Sequence, residues 1–256
     1  MERSERVTSR SNPLMVRIRK LNTRRSFRRE EGVFVGEGPK LLWEAVRWGG
    51  RLEAVVYASG TALPELPRTV RRVEVPDGLL DAVADTESPQ GVVFLCRGES
   101  LAMPEELTGQ RYLLLDGVQD PGNVGTIWRT ADAFGADGLI LSSGCADPWN
   151  PKTVRATMGA VFRLPVYESG LPQAAERLAR ADIPLYATAL REDTQDVREV
   201  RLERAAVVIG SEGRGVSATA LALCQRTLKI PMRERCESLN AAAAAAVVLW
   251  EMARTQ

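Results

Sequence analysis

Between residues 111 and 254, short apolar runs alternate with helical periodicities, and the runs are apolar at every position rather than every second one. Leu113-Leu114-Leu115 and Val207-Val208-Ile209 are the clearest cases. A strand that is apolar on both faces needs cover on both, the condition of a parallel sheet enclosed by its crossover helices. The spacing predicts strands over 111–115, 138–141, 164–166, 185–188, 206–209 and 227–230. Helices are expected over 124–134, 151–158, 172–181, 217–223 and 239–254. This alternation is that of a doubly wound α/β domain. The alanines of 241–246 lie inside the last helical pattern and read as a closely packed helix face.

The first half of the chain reads as a smaller α/β unit. Residues 1–11 are expected to be a basic disordered arm, and Asn12-Pro13 to open a helix carrying Leu14, Ile18 and Leu21 on one side. Strands follow at 33–35, 52–57, 70–75 and 91–96, with helices at 39–48 and 78–84. Domains are therefore expected at 12–97 and 111–256, joined over 98–110 by a polar linker containing Gly and Pro.

Charge is unevenly placed. The chain has 34 Lys and Arg against 33 Asp and Glu, a net charge of +1. Residues 1–29 hold ten basic side chains against Glu2 and Glu5, a local +8, so the remainder carries −7. A basic arm on an acidic body suggests attraction to a polyanion, the alternative being a solvated tail. No apolar run is long enough to span a membrane and no signal segment opens the chain, so cytoplasmic residence is the expectation. Cys96, Cys145, Cys224 and Cys236 are widely separated and there is no histidine, which leaves no zinc-binding spacing. The thiols are expected to pack as small hydrophobes. Without histidine, proton transfer falls to a carboxylate, Lys, Arg, Tyr, Cys or the substrate.

Three loops between a strand and a helix carry most of the unusual residues, and together they imply one composite site. Loop one is Asp120-Pro-Gly-Asn-Val-Gly125, with Asn123 as the expected cap of the helix and Arg129 six residues on. Arg129 taken alone reads equally as a solvated charge. Loop two is Gly210-Ser-Glu-Gly-Arg-Gly215, whose glycines permit positive φ and close approach of a ligand. Glu212 reads either as a helix cap or as a carboxylate that orients a ligand. Loop three runs from Ile230 and Pro231 to Asn240, with Ser238 as expected cap of the last helix and Asn240 in its first turn. No GxGxxG follows the first strand, which disfavours a dinucleotide enzyme such as a dehydrogenase.

In order, the chain shows N-x-G-x-x-x-R-T-x-x-x-F-G from Asn123, V-V-I-G-S-E-G-R-G from Val207, I-P-M from Ile230 and S-L-N-A from Ser238. This series resembles the SpoU (TrmH-like) branch of the SPOUT RNA methyltransferases over residues 111–254. The first block resembles the L30-like substrate-binding domain that precedes the catalytic domain in many members acting on ribosomal RNA. The resemblance implies a parallel-sheet domain with a C-terminal trefoil knot, a rare exception to unknotted folds. It implies an S-adenosylmethionine-dependent enzyme, without metal, that methylates a ribose 2′-hydroxyl as a homodimer.

By residue, the resemblance gives polar functional roles to Asn123, Arg129, Glu212, Ser238 and Asn240, with Arg129 lent by the opposite subunit. It puts the donor near Thr188, Ala189, Leu190, Gly210, Gly213, Ile230, Met232, Ser238 and Leu239. Two departures stand out: Trp128 is bulkier than the small aliphatic expected, and Arg233–Glu237 is more charged than in many relatives. The expected partner is RNA, met by the basic arm and the first domain. The first domain favours ribosomal RNA, 23S above all, over transfer RNA. A silent RNA-binding or ribosome-assembly factor of the same fold is the alternative, disfavoured by the intact polar set.

Overall fold

The computed structural model describes residues 5–189, 191, 194–233 and 238–254. They form two compact units: residues 1–99 with 147–162, and residues 100–146 with 163–256.

The first unit is built on a five-stranded mixed sheet. Its strands are β1 (Glu5–Arg6), β2 (Val33–Glu37), β3 (Arg51–Ala58), β4 (Arg71–Val75) and β5 (Val92–Arg97), in the order β1-β4-β3-β5-β2. β1, β4 and β3 are parallel, while β5 runs antiparallel to β3 and β2. Helix α1 (Pro13–Thr23) lays Leu14, Met15, Ile18 and Leu21 into a core with Val35, Val56, Val73 and Leu95. α2 (Arg25–Glu31) follows at once and ends on Gly32 in the left-handed conformation. α3 (Pro39–Arg47) buries Leu41, Leu42 and Ala45, and α4 (Asp77–Asp81) buries Leu79 and Leu80.

Two expectations are corrected here. Residues 5–11 are not a disordered arm: Glu5 and Arg6 pair with Val73 and Glu74, the Val7 amide donates to the Glu74 carbonyl, and Val7 is buried. The edge of β4 offers free backbone groups, and an alternating segment such as Glu5-Arg6-Val7 satisfies them. Residues 1–4 lie outside the described set. Nor does the whole basic cluster face solvent. Arg17 pairs with Glu31 and Glu53, and Arg28 and Arg29 pair with Asp147.

Residues 147–162 were expected within the second domain, but they pack in the first unit. Arg28 is 3% exposed and its guanidinium is fully used: Nε and one terminal nitrogen reach Asp147 Oδ2 at 2.8 and 2.7 Å, while the other donates to the Leu21 carbonyl at 2.6 Å. The Arg29 guanidinium sits 5.6 Å above the Trp149 ring, and Trp149 in turn lies where a Cβ on Gly98 would be. The inserted helix, α6 (Pro151–Ala156), is followed by a short turn in which Phe162 packs on Phe34, centroids 6.1 Å apart.

The second unit holds seven parallel strands. They are β6 (Arg111–Asp116), β7 (Gly138–Leu141), β8 (Val166–Glu168), β9 (Leu185–Thr188), β10 (Gln195–Asp196), β11 (Ala205–Gly210) and β12 (Arg226–Lys229). Their order is β10-β12-β9-β11-β6-β7-β8. One face packs Tyr112, Leu114, Ile140, Ala206 and Val208 against α7 (Leu171–Arg180) and α8 (Ala218–Leu223). The other packs against α5 (Pro121–Ala133) and α9 (Ala241–Ala253), so both faces are covered as the apolar runs require. The expected linker belongs partly to this unit: Leu101 and Met103 are buried, and the Leu101 carbonyl accepts from the Glu168 amide at 2.7 Å. Strand β8 starts two residues later than expected, and β10 was not foreseen.

Arg28→Ala is expected to destabilise the first unit by up to about 3–5 kcal/mol, because the buried Asp147 keeps only the longer Arg29 contact. The double change Arg28→Met with Asp147→Leu is expected to recover most of that loss. Urea unfolding followed by circular dichroism measures both.

Candidate active site

A parallel sheet puts all its C-terminal strand ends along one edge, and here four neighbours matter: β12, β9, β11 and β6. The residues at those ends are Ile230, Thr188 with Ala189, Gly210 and Asp116, and Gly210 is in register with Asp116. The three loops identified from sequence leave this edge.

Loop one starts α5 earlier than expected. Asp120, not Asn123, is the N-cap: its carboxylate accepts from the Asn123 amide at 2.8 Å, with Pro121 at the first helical position. Proline lacks an N–H where the helix needs none, so Asp-Pro sets the start. Asn123 is thereby released from capping and bonds across the site. Its Nδ2 donates to Glu212 Oε1 at 2.6 Å, and its Oδ1 accepts from Asn240 Nδ2 at 3.2 Å.

Asn240 is itself the cap of α9. Its Oδ1 accepts from the amides of Ala242 and Ala243 at 2.9 and 3.3 Å. This corrects the expectation for Ser238, which lies exposed two residues outside the cap. An Asn next to the first helical residue reaches the free amides that Ser238 cannot. Each residue of the chain Glu212–Asn123–Asn240 thus comes from a different loop. Glu212 does not cap a helix; Ser217 caps α8 instead, accepting from the Ala220 amide at 3.2 Å.

Loop two closes on itself. Ser211 and Gly215 exchange backbone hydrogen bonds of 3.1 and 2.9 Å, and Gly215 has φ +65°. A Cβ on Gly210 would lie 2.1 Å from the Gly215 carbonyl carbon. The glycine at 210 therefore lets the loop close on itself. Gly213 is exposed at the tip.

Asp116 was not singled out from sequence, although it ends the first apolar run. It is buried, accepts from the Ser217 amide at 2.7 Å and from the Ser142 hydroxyl at 3.3 Å, and so holds the far end of loop two to β6. A carboxylate directly after four apolar residues, at a strand end and facing a glycine-rich loop, is the signal that marks it.

Among the other donor-site residues, Thr188 donates its hydroxyl to the Val208 carbonyl at 3.0 Å, and the Ala189 amide donates to Leu228 O at 3.0 Å. Ile230 and Met232 are half-buried, and Leu239 is 39% exposed. Leu190 and residues 234–237 of loop three, Cys236 included, lie outside the described residues. Arg129 is exposed on α5 with no ion pair among the described residues, six positions and therefore about 120° around the helix from Asn123. Among the described residues nothing brings it to the Asn123 cluster. Trp128, the bulky departure, is buried and its Nε1 donates to the Leu164 carbonyl at 3.0 Å, so it serves packing.

Cys96 and Cys145 are buried and Cys224 half-buried, all as free thiols. Burial pushes the Cys96 and Cys224 thiols up to about 12, with the Asp116 charge adding to the rise at Cys224. Thiols held in this way are protonated at neutral pH and are poor nucleophiles.

The profile of the SpoU rRNA Methylase family matches residues 110–250, and that of the MRM3-like substrate binding domain matches residues 12–93. The chain is 34% identical over 251 residues to the 23S rRNA (guanosine(2553)-2'-O)-methyltransferase RlmP of Bacillus subtilis, covering 97% of this chain and 99% of that protein. Identity is 32% over 269 residues to the 23S rRNA (uridine(2479)-2'-O)-methyltransferase of Streptomyces viridochromogenes, covering 98% and 92%. The crystal structure of AdoMet bound rRNA methyltransferase from Sinorhizobium meliloti matches with a TM-score of 0.86 at 31% identity, over 98% of each chain. That structural match, over a seven-strand parallel sheet with three loops meeting at one edge, places the fold among the SPOUT methyltransferases. Within that class, the chain belongs to the SpoU rRNA methylase family.

Asp116→Ala is expected to leave the Ser217 amide without its acceptor, lowering stability by about 1–3 kcal/mol. Hydrogen exchange at residues 211–217 should quicken in the variant. Iodoacetamide at pH 8 is expected to leave Cys96 and Cys224 unmodified in the folded protein and to label both after urea unfolding. Peptide mass spectrometry reads the difference.

Proposed function

We propose that this protein transfers a methyl group from S-adenosylmethionine to a ribose 2′-hydroxyl of 23S ribosomal RNA, working in the cytoplasm as a knotted homodimer. The observation that carries the reading is the hydrogen-bonded series Glu212–Asn123–Asn240, which gathers all three loops at one sheet edge. The relatives from Bacillus subtilis and Streptomyces viridochromogenes, each matching nearly the whole chain, are 23S rRNA methyltransferases, and this favours ribosomal over transfer RNA.

The strand ends fit the donor. S-adenosylmethionine supplies an electrophilic methyl group on a positively charged sulfur. Uncharged Thr188, Ala189, Ile230, Met232 and Leu239, on the loops leaving β9 and β12 and before α9, offer walls for an adenine ring and an aliphatic chain. Gly210 keeps loop two narrow beside them, and Gly213 leaves its tip open. No metal enters this chemistry.

A neutral hydroxyl is a weak nucleophile, so the chain must stabilise the oxygen as its proton leaves. Arg129 of the partner subunit fills that role as a fixed cation that lowers the hydroxyl pKa, the proton passing to an RNA phosphate or to water while S-adenosylhomocysteine leaves as the S–CH3 bond breaks; arginine gives up its own proton too reluctantly to be the base. Glu212 and Asn240 orient groups through Asn123, and Ser238 is left free to bind. Most of the rate then comes from alignment of oxygen, methyl and sulfur. Arg129 facing away from Asn123 in its own chain supports lending to a partner. So does Trp250, 56% exposed on α9 with its ring edge-on to Phe134 at 5.8 Å, an apolar surface suited to a second copy. The return of loop three to Asn123, after β12 has crossed to the far side of β9, supports the knot.

The basic cluster supports RNA contact through Arg19, Lys20 and Arg24, which are exposed at the end of α1. Charge reversal at these three positions probes that contact and leaves the core residues Leu14, Met15, Ile18 and Leu21 of the same helix in place.

Arg129→Ala is expected to lower kcat at least about a hundredfold with little change in donor affinity, in keeping with loss of charge stabilisation. Glu212→Ala should also be weak alone. Mixed as heterodimers, the two variants should regain about a quarter of the activity, since half the dimers then hold one complete site. Methyl transfer from labelled donor to 23S rRNA is the measurement; no transfer by the unaltered protein, with no donor binding by calorimetry, would end the catalytic reading.

A further inference from the structure

Loop two carries Glu212 at its tip, and the base of the loop decides where that tip points. The outgoing arm leaves the sheet at Gly210, which is in register with Asp116. The returning arm passes directly over Gly210: a Cβ there would lie 2.1 Å from the Gly215 carbonyl carbon and 2.2 Å from the Val216 nitrogen. It ends at Ser217, whose amide donates to Asp116 Oδ2 at 2.7 Å. Asp116 therefore meets both ends of the loop, one at its backbone and the other at its side chain. Between those ends Ser211 and Gly215 are bridged, so a turn of the base carries the tip with it.

The carboxylate is itself fixed. It is 8% exposed, and Oδ1 accepts from the Ser142 hydroxyl at 3.3 Å. Ser142 Oγ in turn accepts from the Gly117 amide at 3.1 Å, which ties the next residue to the same side chain. The chain has no histidine, so a carboxylate at this edge invites a reading as general base. A group this buried, with both oxygens engaged, is not placed to take a proton from a substrate hydroxyl. Its effect on the reaction runs through the loop. Val216, half-buried against the core, gives the same arm only non-directional contact, which permits sliding. The hydrogen bond to Ser217 does not. At the tip the tolerance is small: Asn123 Nδ2 meets Glu212 Oε1 at 2.6 Å, and a shift of about 1 Å ends that contact.

We propose that Asp116 is a positioning residue for methyl transfer. It works as a hydrogen-bond acceptor rather than as a charge, setting the base of loop two and through it the series Glu212–Asn123–Asn240. The kinetic consequence rests on the proposed reaction; the geometric one does not.

Two variants separate acceptor from charge. Asp116→Ala removes both. Asp116→Asn keeps an oxygen for the Ser217 amide, and its NH2 can donate to Ser142 Oγ, whose own proton then goes to the Ser143 carbonyl 3.2 Å away. In proton–nitrogen correlation spectra of the intact protein, the Asn123 side-chain NH2 signal is identified by its loss in Asn123→Asp. It should shift in Asp116→Ala and hold its place in Asp116→Asn. In methyl transfer to rRNA, Asp116→Ala should lower kcat about a hundredfold, the scale for about 1 Å of misplacement, with KM for RNA unchanged. Asp116→Asn should restore most of that rate. Asp116→Ala combined with Glu212→Ala should be no slower than the slower single variant, because both act through one contact. If Asp116→Ala does not fold, Ser217→Pro removes the same bond from its other end: the φ of −66° suits proline, and the lost amide is the donor. Ser217→Ala, which loses the α8 cap and keeps the amide, is its control and should leave the Asn123 signal in place. An unmoved Asn123 signal in whichever of Asp116→Ala and Ser217→Pro folds overturns the proposal. So do losses that multiply in the double variant, or Asp116→Asn as slow as Asp116→Ala, which would make the charge the working feature. If the unaltered protein transfers no methyl group while the Asn123 signal follows the bond, the positioning role stands and the catalytic reading falls. Normal transfer by the unaltered protein, with Asp116→Ala equally fast, gives the reverse.

Discussion

The arrangement at the sheet edge depends on one side chain being free. Asn123 can accept and donate across the site only because Asp120 satisfies the helix terminus in its place. An amide side chain has one carbonyl and one NH2 group. Had it capped α5, its side chain would turn back onto its own helix and the link to Asn240 would be lost. The same economy recurs at Asn240, which gives its carbonyl to α9 and its NH2 to Asn123. Asp116 then fixes the other end of loop two. Three loops from distant parts of the chain are thereby held by a few directional bonds rather than by apolar packing, and such bonds set geometry more sharply than they add stability.

The parallel sheet beneath is what makes those bonds reachable. Gly210 pairs with Asp116, and β9 lies between β11 and β12. Neighbouring strands are about 4.8 Å apart, so loops leaving adjacent ends are within one side chain of each other. The apolar runs that impose burial on both faces therefore also impose the crowding of the loops.

Much of this was legible in the sequence because it is local or periodic. Runs apolar on both faces predicted the second unit's parallel sheet, and glycine-rich breaks marked the loops. Cap positions were less so. Asn12-Pro13, Asp120-Pro121 and Asn150-Pro151 all turn out to be the same device, an Asx cap with proline at the first helical position. Only the first was read that way, because in loop one a second good cap, Asn123, competes within three residues. Propensity ranks the two alike; the missing proline N–H decides between them. The place of residues 147–162 was not legible at all. Helix 151–156 has the pattern of any crossover helix, and its anchor is an ion pair between residues 119 positions apart.

Charge counting gave the least reliable guide. The local +8 of residues 1–29 suggested a uniform polyanion-binding arm. In the fold, Arg28 is interior, and Arg17 and Arg29 are held by carboxylates. A paired guanidinium still contributes to the long-range field, but it must give up its partner before it can bind a phosphate. Of the ten, Arg19, Lys20 and Arg24 stay exposed at the end of α1, so a count of charges along the chain overstates what the fold leaves on its surface.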